Sequence, residues 1–399
     1  MNILDKASYC LSCPKPRCEG SCPTGNKISK WIALVKLGKE KEAAELLYQT
    51  NPFPEITSLV CDHARQCQGA CIRGIKGEPV SIPDIEYHLS SYPWPYKRKA
   101  PRGKKVALVG AGIANLSLAV FLLQEGVEVD VYEKEKELGG AILAGIPSFR
   151  FDKSPLANIK DKLTGLGARF FFNEEVTPER LGQLSKEYDN VVLGIGAEKE
   201  NLAGQNLSES VVSGLKLLHD LNVDKAESYY SKYKKAYVWG GGNVALDCAR
   251  SLVRIVKEVS ILYRRSQVEM PGNAKEIEEA KEEGVTLTLL NNLKELRYDE
   301  NGKLLGGTFV KMELGEKDES GRASFHEIPN SEFDEDFDLF VLAIGEKSEI
   351  SKYGESDGSY LLKDNIYVVG DGRYGAKNVA SAIADGRNLA EEILNNYEN

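Results

Sequence analysis

Residues 1 to about 100 contain two stretches in which apolar side chains recur at helical spacing. In the segment ISKWIALVKLG, Trp31, Leu34 and Val35 fall on one helical face, and KEAAELLYQT continues the same periodicity. Such spacing predicts helices that pack around a shared core. The segment SSYPWPYKRKAPRGK predicts a linker, because its prolines lack the N–H that a helix or a strand ladder needs.

From Lys105 the pattern changes to short apolar runs that alternate with longer helical ones. The run KKVALVG predicts a strand, ANLSLAVFLLQEG predicts a helix closed by Gly126, and VEVDVYEK predicts a second strand. The same unit recurs as KAYVWGGG, NVALDCARSLVRIV and VSILYRR. Two copies of strand, glycine loop, helix and strand predict an α/β chain with two dinucleotide-binding domains.

Composition and charge argue against several classes of function. The 399 residues are 42% hydrophobic, and a length of this size at about 150 residues per domain suggests two or three domains. The formal net charge of −9 disfavours nucleic-acid binding, and the basic run KRKAPRGKK predicts a solvated linker rather than a nucleic-acid or membrane patch. No apolar run approaches about 18 residues, and the N-terminus lacks a signal-peptide pattern. We therefore expect a cytoplasmic protein that binds neither nucleic acid nor membrane.

Seven of the eight cysteines lie within the first 71 residues, spaced C-x2-C-x4-C-x3-C-P and then, after 38 residues, C-x5-C-x3-C. In a reducing compartment such clustering indicates metal or redox chemistry rather than disulfides. Zinc sites usually show paired C-x2-C motifs, whereas seven thiolates and one other ligand would serve two [4Fe–4S] clusters. The spacing favours two iron–sulfur clusters over zinc or structural cysteines. The seven residues are Cys10, Cys13, Cys18, Cys22, Cys61, Cys67 and Cys71.

Three further residues carry weaker signals. Cys248 lies in the middle of the predicted helix ALDCAR and is expected to be a small buried apolar group. His63 and His88 lie near the cysteines, where they could support metal ligands, but plain packing is the favoured interpretation.

The first glycine loop, GAGIAN, directly follows a predicted strand and opens a helix. Gly110 permits the tight turn, and Gly112 lets the backbone approach a pyrophosphate at the helix N-terminus. An acidic residue is expected about 20 positions after this loop, where it accepts hydrogen bonds from the ribose hydroxyls. Glu133, at the end of the next strand, is that residue. Asn115 replaces the third glycine, at a position that serves helix–strand packing. The alternative is a glycine-rich turn in an unliganded domain.

The second glycine loop, GGGNVA, contains Gly240, Gly242 and Ala245. Arg264 and Arg265 stand at the end of the following strand, where an acidic residue would indicate NAD. Because guanidinium groups bind a 2′-phosphate well, these arginines predict NADPH. The alternative is that they form a solvated edge.

Together these motifs resemble the glutamate synthase small (beta) subunit family. That family includes the N-terminal electron-input module of dihydropyrimidine dehydrogenase and the large subunit of electron-bifurcating ferredoxin–NADP oxidoreductase. The resemblance runs from CLSCPKPRCEGSCPTGN to VASAIADGRNLAEEI and includes CQGAC, GAGIAN, GGAILAGIPSFR, LGIGA, GGGNVALDCAR, YRRSQVEMPG, LAIGE and VVGDG. It implies an α-helical iron–sulfur domain at 1–100, then two Rossmann-like domains. The FAD-binding domain, 101–200 and 340–399, would be interrupted by the NAD(P)H-binding domain, 201–339.

The resemblance also implies particular site residues. Cys10, Cys13, Cys18 and Cys71 would hold one [4Fe–4S] cluster, and Cys22, Cys61, Cys67 and Glu86 would hold the other. Without the resemblance Glu86 would be taken for an ordinary surface acid. The implied FAD contacts are Gly110, Ala111, Gly112, Ala114, Glu133, Lys134, Gly140, Ala141, Arg150, Gly370 and Asp371. The implied NADPH contacts are Gly240, Gly242, Asn243, Val244, Arg264, Arg265 and Gly345.

The resulting hypothesis is an NADPH-dependent FAD and iron–sulfur oxidoreductase that serves as an electron-input subunit. Hydride would pass from NADPH to FAD, and single electrons through two clusters to a partner subunit, with no protein acid or base required. A glutamate synthase large subunit is the first expected partner. The short chain favours the small subunit of a bacterial dihydropyrimidine dehydrogenase, and an electron-bifurcating NADPH–ferredoxin oxidoreductase is a further alternative. A hypothesis of another class, supported by Asn115, is a non-catalytic scaffold with degraded cofactor sites.

Overall fold

The computed structural model describes residues 2–317 and 323–398. The chain divides into two compact units, one formed by Met1–Ile142, Phe149–Ala197 and Ser348–Asn399, the other by Leu143–Ser148 and Glu198–Lys347. The first unit contains the cysteine-rich segment and the first glycine loop, and the second contains the second glycine loop. Within these two described ranges, no helix has the length and apolar character that a membrane span requires. The division into three domains stays a prediction.

The cysteine-rich segment is helical. Its helices are α1 (Ile3–Ser8), α2 (Arg17–Gly20), α3 (Ile28–Lys36), α4 (Glu40–Tyr48), α5 (Pro54–Val60) and α6 (Ile82–Leu89), with a 3-10 turn at Ile72–Ile75. Helices α3 and α4 coincide with the two periodic stretches, which confirms the helical interpretation. Trp31, Val35 and Leu47 are completely buried in one core with residues of α1 and α6. The apolar stripe of α3 therefore anchors the segment that carries the cysteines.

The remainder of the first unit is built around a largely parallel sheet. Its elements before residue 198 are β1 (Lys105–Val109), α7 (Ile113–Gln124), β2 (Glu128–Glu133), α8 (Ala141–Ala144), α9 (Ser154–Leu166), β3 (Arg169–Phe172), α10 (Pro178–Glu187) and β4 (Asn190–Leu193). The last two residues of α8 are counted with the second unit.

The second unit contains a second α/β arrangement. Its elements are β5 (Lys199–Glu200), β6 (Val211–Ser213), α11 (Gly214–Asn222), α12 (Glu227–Tyr230), β7 (Lys235–Trp239), α13 (Asn243–Leu252), β8 (Glu258–Tyr263), α14 (Ala274–Glu282), β9 (Thr286–Leu289), β10 (Asn291–Tyr298), β11 (Leu304–Lys317), β12 (Ala323–Glu327), β13 (Phe333–Asp336), β14 (Leu339–Leu342) and β15 (Glu346–Lys347). A 3-10 turn lies at Gln267–Glu269.

The chain then returns to the first unit. Its last elements are a 3-10 turn at Ile350–Lys352, β16 (Leu361–Lys363), β17 (Ile366–Val368), α15 (Asp371–Tyr374) and α16 (Val379–Glu398). The six-stranded sheet of this unit has the order β16-β17-β4-β1-β2-β3, in which only β16 is antiparallel to its neighbour. Helix α7 is buried nearly all round and packs against α16, where the Ser117 hydroxyl donates to the Ile383 carbonyl at 2.9 Å.

The second unit has a five-stranded parallel sheet of order β6-β14-β7-β8-β9. Beside it in sequence, β10, β11 and β12 form an antiparallel sheet, with β13 paired to β11. In a parallel sheet the loops that follow the strands gather at the carboxyl edge, where nucleotide ligands bind. Both predicted glycine loops lie at such an edge, so the prediction of two Rossmann-like folds is confirmed.

Candidate functional site

The first group of cysteines surrounds a cavity of about 420 Å³. Four thiols line it, and the apolar side chains Ile28, Ile32, Val80 and Ile82 form part of its wall. A [4Fe–4S] cluster needs four ligands that converge on one compact volume. The structure brings together the four that were predicted as one set, namely Cys10, Cys13, Cys18 and Cys71.

The second group of cysteines lines a different, smaller cavity. Cys22, Cys61 and Cys67 form part of its wall together with Glu86. Polar side chains also line it, including Asn51 and Thr57. The seven clustered cysteines therefore separate into a set of four and a set of three, and the carboxylate completes the smaller set.

Glu86 is not the surface acid that composition alone would predict, because only 5% of it is exposed. The Asn51 amide donates to its Oε1 at 2.9 Å, and the Thr57 hydroxyl donates to the same oxygen at 2.7 Å. Within the described residues Oε2 accepts no hydrogen bond. Burial raises the pKa of Glu86 to about 7, and the two hydrogen bonds oppose this rise. A metal ion at Oε2 would supply the missing positive charge.

The thiols beside these cavities are also poorly solvated. Burial, with the nearby Cys10 thiol, raises the pKa of Cys18 to about 12, and burial raises the pKa of Cys61 and of Cys67 well above the ordinary value. Several adjacent thiolates cannot form in such surroundings unless a cation compensates their charge. Iron bound as an iron–sulfur cluster provides that charge, so this donor set fits two clusters.

His63 lies closer to a predicted ligand than expected. Its Nδ1 is 3.7 Å from the Cys67 Sγ, and its Nε2 is 3.1 Å from the Ser58 carbonyl oxygen. The ring of His63 thus contacts a predicted ligand, and the interpretation of His63 as plain packing or as support for a ligand stays a prediction. Cys248 is fully buried, as predicted, and its Sγ is 3.5 Å from the Gly214 carbonyl oxygen.

The first glycine loop forms a tight turn between β1 and α7. Gly110 has φ +91°, and a Cβ there would lie 2.6 Å from the Gly194 carbonyl oxygen, so only glycine fits. The Ala111 N–H donates to Glu133 Oε2 at 2.6 Å, and the Glu135 N–H donates to Oε1 at 2.9 Å. Burial raises the pKa of Glu133. Because each carboxylate oxygen can accept two hydrogen bonds, Glu133 can fix this turn and still accept a ribose hydroxyl.

The side chain of Asn115 stabilises the glycine turn through hydrogen bonds to its backbone. It is completely buried, and its Nδ2 donates to the carbonyl oxygens of Val109 at 2.9 Å and Gly110 at 2.8 Å. A Cβ on Gly194 would come within 2.5 Å of this side chain, so Gly194 provides the space that Asn115 occupies. The substitution of the third glycine is thus accommodated in the packing.

Three loops of the first unit meet at this turn. A Cβ on Gly140 would lie 3.2 Å from the Gly112 Cα, and a Cβ on Gly370 would lie 2.8 Å from the Ala114 Cβ. Asp371, at the start of α15, has a pKa raised by burial. Of the other predicted FAD contacts, Lys134 and Ala141 are exposed and Arg150 is half-buried in a turn.

Sequence reasoning missed the support of the Gly370 loop. Asp385 is 5% exposed, and its Oδ2 accepts the Gly370 N–H at 2.7 Å. The Arg373 guanidinium donates to the same carboxylate. The motif VASAIADGRN contains Asp385, but nothing in the one-dimensional pattern relates it to a loop 15 residues earlier.

The second glycine loop is equally constrained. Gly240 has φ +151°, and a Cβ there would lie 2.1 Å from the Ala343 carbonyl oxygen, whereas a Cβ on Gly242 would meet nothing within 4 Å. The Gly272 N–H donates to the Gly241 carbonyl oxygen at 3.0 Å, so the loop after β8 supports this turn. Of the other predicted NADPH contacts, Asn243 and Val244 begin α13, and Gly345 has φ +112° after β14.

The two predicted coenzyme arginines occupy different surroundings. Arg264 is exposed, whereas Arg265 is 5% exposed and its Nε donates to the Ala323 carbonyl oxygen at 2.6 Å. The guanidinium carbons of Arg264 and Arg265 lie 4.3 and 4.8 Å from the centroid of the Phe325 ring. The alternative of a solvated edge therefore does not describe Arg265.

The chain thus has a glycine turn at the carboxyl edge of each of two parallel sheets, and the cysteines that line the two cavities precede both turns in the sequence. These features define an oxidoreductase of flavin, pyridine-nucleotide and iron–sulfur type. Two family models match this chain: dihydropyrimidine dehydrogenase domain II, 4Fe-4S cluster, over residues 1–97, and pyridine nucleotide-disulphide oxidoreductase over residues 104–386. The glutamate synthase [NADPH] small chain of Escherichia coli is 32% identical over 98% of this chain and 90% of its own length.

Other similarities agree with this class. The NADP(+)-dependent formate dehydrogenase subunit beta of Moorella thermoacetica is 32% identical over 94% of this chain and 59% of its own length. The structure of Mycobacterium tuberculosis FprA in complex with NADPH matches with a TM-score of 0.63 and 19% identity, covering 73% of this chain and 84% of that chain, and shares the fold. The chain belongs to the glutamate synthase small subunit family, and it is an NADPH-dependent flavin and iron–sulfur oxidoreductase.

Proposed function

We propose that this chain is the electron-input subunit of a larger redox enzyme. It takes hydride from NADPH at the flavin and passes single electrons through two [4Fe–4S] clusters to a partner protein. The observation that carries this proposal is the presence of two separate cysteine-lined cavities in the same unit as the first glycine turn. A converter of this kind is useful only if another protein consumes the electrons.

The contacts of helix α16 indicate the order in which electrons would reach the two clusters. Ala380 of this helix lines the second cavity, and Gly386 approaches α7 so closely that a Cβ would lie 2.1 Å from the Ala114 carbonyl oxygen. Arg387 donates to the carbonyl oxygens of Thr24 at 2.8 Å and Thr50 at 3.1 Å. One helix thus contacts both the first glycine turn and the wall of the second cavity. We assign the cluster at Cys22, Cys61, Cys67 and Glu86 to the flavin side and the other to the partner side.

The residues of the chain bind and orient the cofactors. The N-terminal N–H groups of α7 and α13 would hold the pyrophosphate groups of FAD and NADPH, Glu133 would accept a hydrogen bond from a ribose hydroxyl, and Arg264 would bind the 2′-phosphate. When bound, the flavin and clusters supply the conversion of hydride chemistry into one-electron transfer. We assign no catalytic acid or base to this chain.

The identity of the partner belongs to the proposal. A glutamate synthase large subunit stands first, because the similarity to a glutamate synthase small chain extends over 90% of that relative. The match of residues 1–97 to dihydropyrimidine dehydrogenase domain II keeps a pyrimidine-reducing partner as the second candidate. A ferredoxin-type reductase subunit is the third. We place the complex in the cytoplasm.

The purified chain tests the proposal directly. With NADPH it should reduce ferricyanide, one NADPH yielding NADP⁺, a proton and two ferrocyanide, and its absorption should combine flavin peaks with a broad iron–sulfur shoulder. By itself it should not convert glutamine with 2-oxoglutarate, or uracil. Turnover of either substrate by the chain alone would refute the need for a partner. A colourless protein would instead support the non-catalytic scaffold.

A further inference from the structure

The face around the first cavity combines exposed apolar and cationic side chains. Leu11 is 53% exposed and Ile72 is 44% exposed, and both line the cavity beside Lys15, Arg17 and Arg73. Among the lining residues, all of which are described, no aspartate or glutamate occurs. We call these five residues the first-cavity face. The second cavity differs, because Glu86 and Ala380 of α16 form part of its wall.

The positive charge of this face contrasts with the rest of the chain. Residues 1–97 contain 12 lysines and arginines and 10 aspartates and glutamates, whereas the whole chain has a net charge of −9. Arg73 is held in place, since its Nε donates to the Tyr9 carbonyl oxygen at 3.0 Å and its guanidinium lies 4.1 Å from the Tyr9 ring centroid. A fixed cation loses less entropy on binding than a free one, which favours its use in recognition.

We propose that the first-cavity face is the docking surface for an electron-accepting protein whose contact surface is acidic. This inference rests on the proposed function, which places the partner-side cluster in the first cavity. An apolar centre with charged groups around it is typical of protein interfaces, and opposite charges accelerate encounter. Because the chain as a whole is acidic, an acidic partner is repelled elsewhere and attracted here.

The test uses an acidic two-cluster ferredoxin as the probe and measures its dissociation constant by calorimetry at two salt concentrations. Wild type should bind more weakly at high salt, and the Lys15→Glu/Arg17→Glu double variant should lose about tenfold or more in affinity. The matched control is Lys257→Glu/Lys275→Glu, which makes the same charge change at two side chains that are each 83% exposed. The control should stay within about twofold of wild type.

Iron analysis accompanies each variant, because Lys15 and Arg17 lie between cluster ligands. If iron falls in the glutamate variant, Lys15→Gln/Arg17→Gln, with smaller charge change, decides the outcome. The docking proposal is overturned if the test and control double variants lose ferredoxin affinity equally, or if the affinity of wild type does not depend on salt. Failure of the proposed function would be seen separately, as the absence of NADPH-driven ferricyanide reduction by wild type.

A different observation in the second unit carries a second inference. Strand β12 places the Phe325 ring against both guanidinium groups at the end of β8, and Arg265 anchors that strand through the Ala323 carbonyl. An aromatic face attracts a guanidinium and restricts its motion. We infer that Phe325 is a positioning residue that holds Arg264 ready for the 2′-phosphate, while Arg265 fixes β12. This inference rests on the proposed NADPH site.

Binding of 2′,5′-ADP and of 5′-AMP, measured by calorimetry, tests the role of Phe325. Phe325→Leu should weaken the affinity for 2′,5′-ADP about fivefold or more and leave the affinity for 5′-AMP unchanged. Phe325→Tyr, which keeps the aromatic ring, should bind 2′,5′-ADP like wild type. His326→Ala is the control, since His326 is the exposed next residue on the same strand. Equal weakening of both ligands, or none, overturns the inference. If wild type binds both ligands equally, the proposed NADPH site itself is wrong.

Discussion

A carboxylate buried as deeply as Glu86 must be compensated. An unpaired charge in a protein interior costs several kcal/mol, and two neutral hydrogen bonds to Oε1 offset only part of that. The rise of its pKa to about 7 reflects the same imbalance. The neighbouring thiols, Cys61 and Cys67, face the same difficulty because burial raises their pKa too. A cluster bound by these residues would remove both penalties at once.

Replacing Glu86 by Ala should disturb only the second cluster. We expect the EPR spectrum of the reduced protein to change, either by a shift of one signal or by conversion of that cluster to a three-iron form, because a carboxylate is the weakest of its ligands. The exposed Glu78→Ala is the matched control and should leave the spectrum unchanged. An unaltered spectrum for Glu86→Ala would show that this carboxylate is not a ligand.

At the scale of elements, the second glycine turn contains two glycines with different roles, one required by the backbone and one not. Gly240 is needed for the backbone, because its φ of +151° and the adjacent Ala343 carbonyl exclude any Cβ. Gly242 has open space around its Cβ position and an ordinary φ of −89°. The fold therefore does not require glycine at this position, and the prediction that a pyrophosphate approaches Gly242 gives a reason for it.

The pair Gly240→Ala and Gly242→Ala tests this separation. Gly240→Ala should lower the thermal midpoint by about 5 °C or more, because a clash with backbone costs several kcal/mol. Gly242→Ala should unfold like wild type but bind NADPH about tenfold more weakly, because a methyl group holds the pyrophosphate away from α13. Differential scanning calorimetry and NADPH titration measure the two effects. Full NADPH affinity in Gly242→Ala would place the pyrophosphate elsewhere.

An ion-pair cluster joins α13 to the end of α14. Arg250 donates to Glu283 at 2.9 and 2.7 Å, and Arg254 donates to the same carboxylate at 3.1 and 2.9 Å. These hydrogen bonds lower the pKa of Glu283 from 4.5 to about 2, and the bonds from Arg250 have the largest effect. A depressed pKa means that this stabilisation is complete above about pH 4.5 and is lost as the pH falls towards 2.

Glu283→Gln should therefore destabilise the second unit at neutral pH, by about 1–3 kcal/mol. The difference from wild type should shrink as the pH falls from about 5 to 3, because the Glu283 carboxylate of the unfolded wild-type chain then binds a proton while that of the folded chain stays ionised. Glu282→Gln, at the exposed neighbouring position, is the control. Urea unfolding followed by tryptophan fluorescence gives the free energies. A constant difference across this pH range would contradict the assigned cause.

At the scale of the whole molecule, the two cavities differ in what surrounds them. The first is lined by residues of the segment 10–82, whereas the second also includes Ala380 of the C-terminal helix. Loss of the first cluster should consequently leave the flavin site intact. The same first unit holds both sites, so their independence is a matter of local packing rather than of separate folding units.

Cys13→Ser should remove one cluster and keep the flavin. We expect about four irons per chain in place of the about eight that two cubanes require, with unchanged flavin absorption. Cys248→Ser changes a buried cysteine outside both cavities and should retain the full iron content. Iron analysis and absorption spectra decide the matter. Wild-type iron in Cys13→Ser would remove this residue from the ligand set.

Much of this architecture could be predicted because its signals are local. The alternation of VALV and VEVDVYE with apolar helices indicated parallel α/β units, and the glycine positions followed from the turns that only glycine permits. The family and its cofactors were recognisable from motif spacing. The contacts of Asp385 with the Gly370 loop and of Phe325 with Arg264 were not predictable, because each joins segments that no local periodicity connects.

The sequence by itself determined the helical cysteine-rich segment, the two nucleotide-binding folds and the class of chemistry, since each depends on short-range spacing and on backbone sterics. The family resemblance implied the two sets of cysteines, but only the tertiary structure showed that each set lines one cavity, that Glu86 is buried, and that Arg264 and Arg265 differ in exposure. Burial and convergence depend on how distant segments pack. The physical reason is that packing sets solvation, and solvation decides whether a carboxylate or a guanidinium is a surface charge or part of a site.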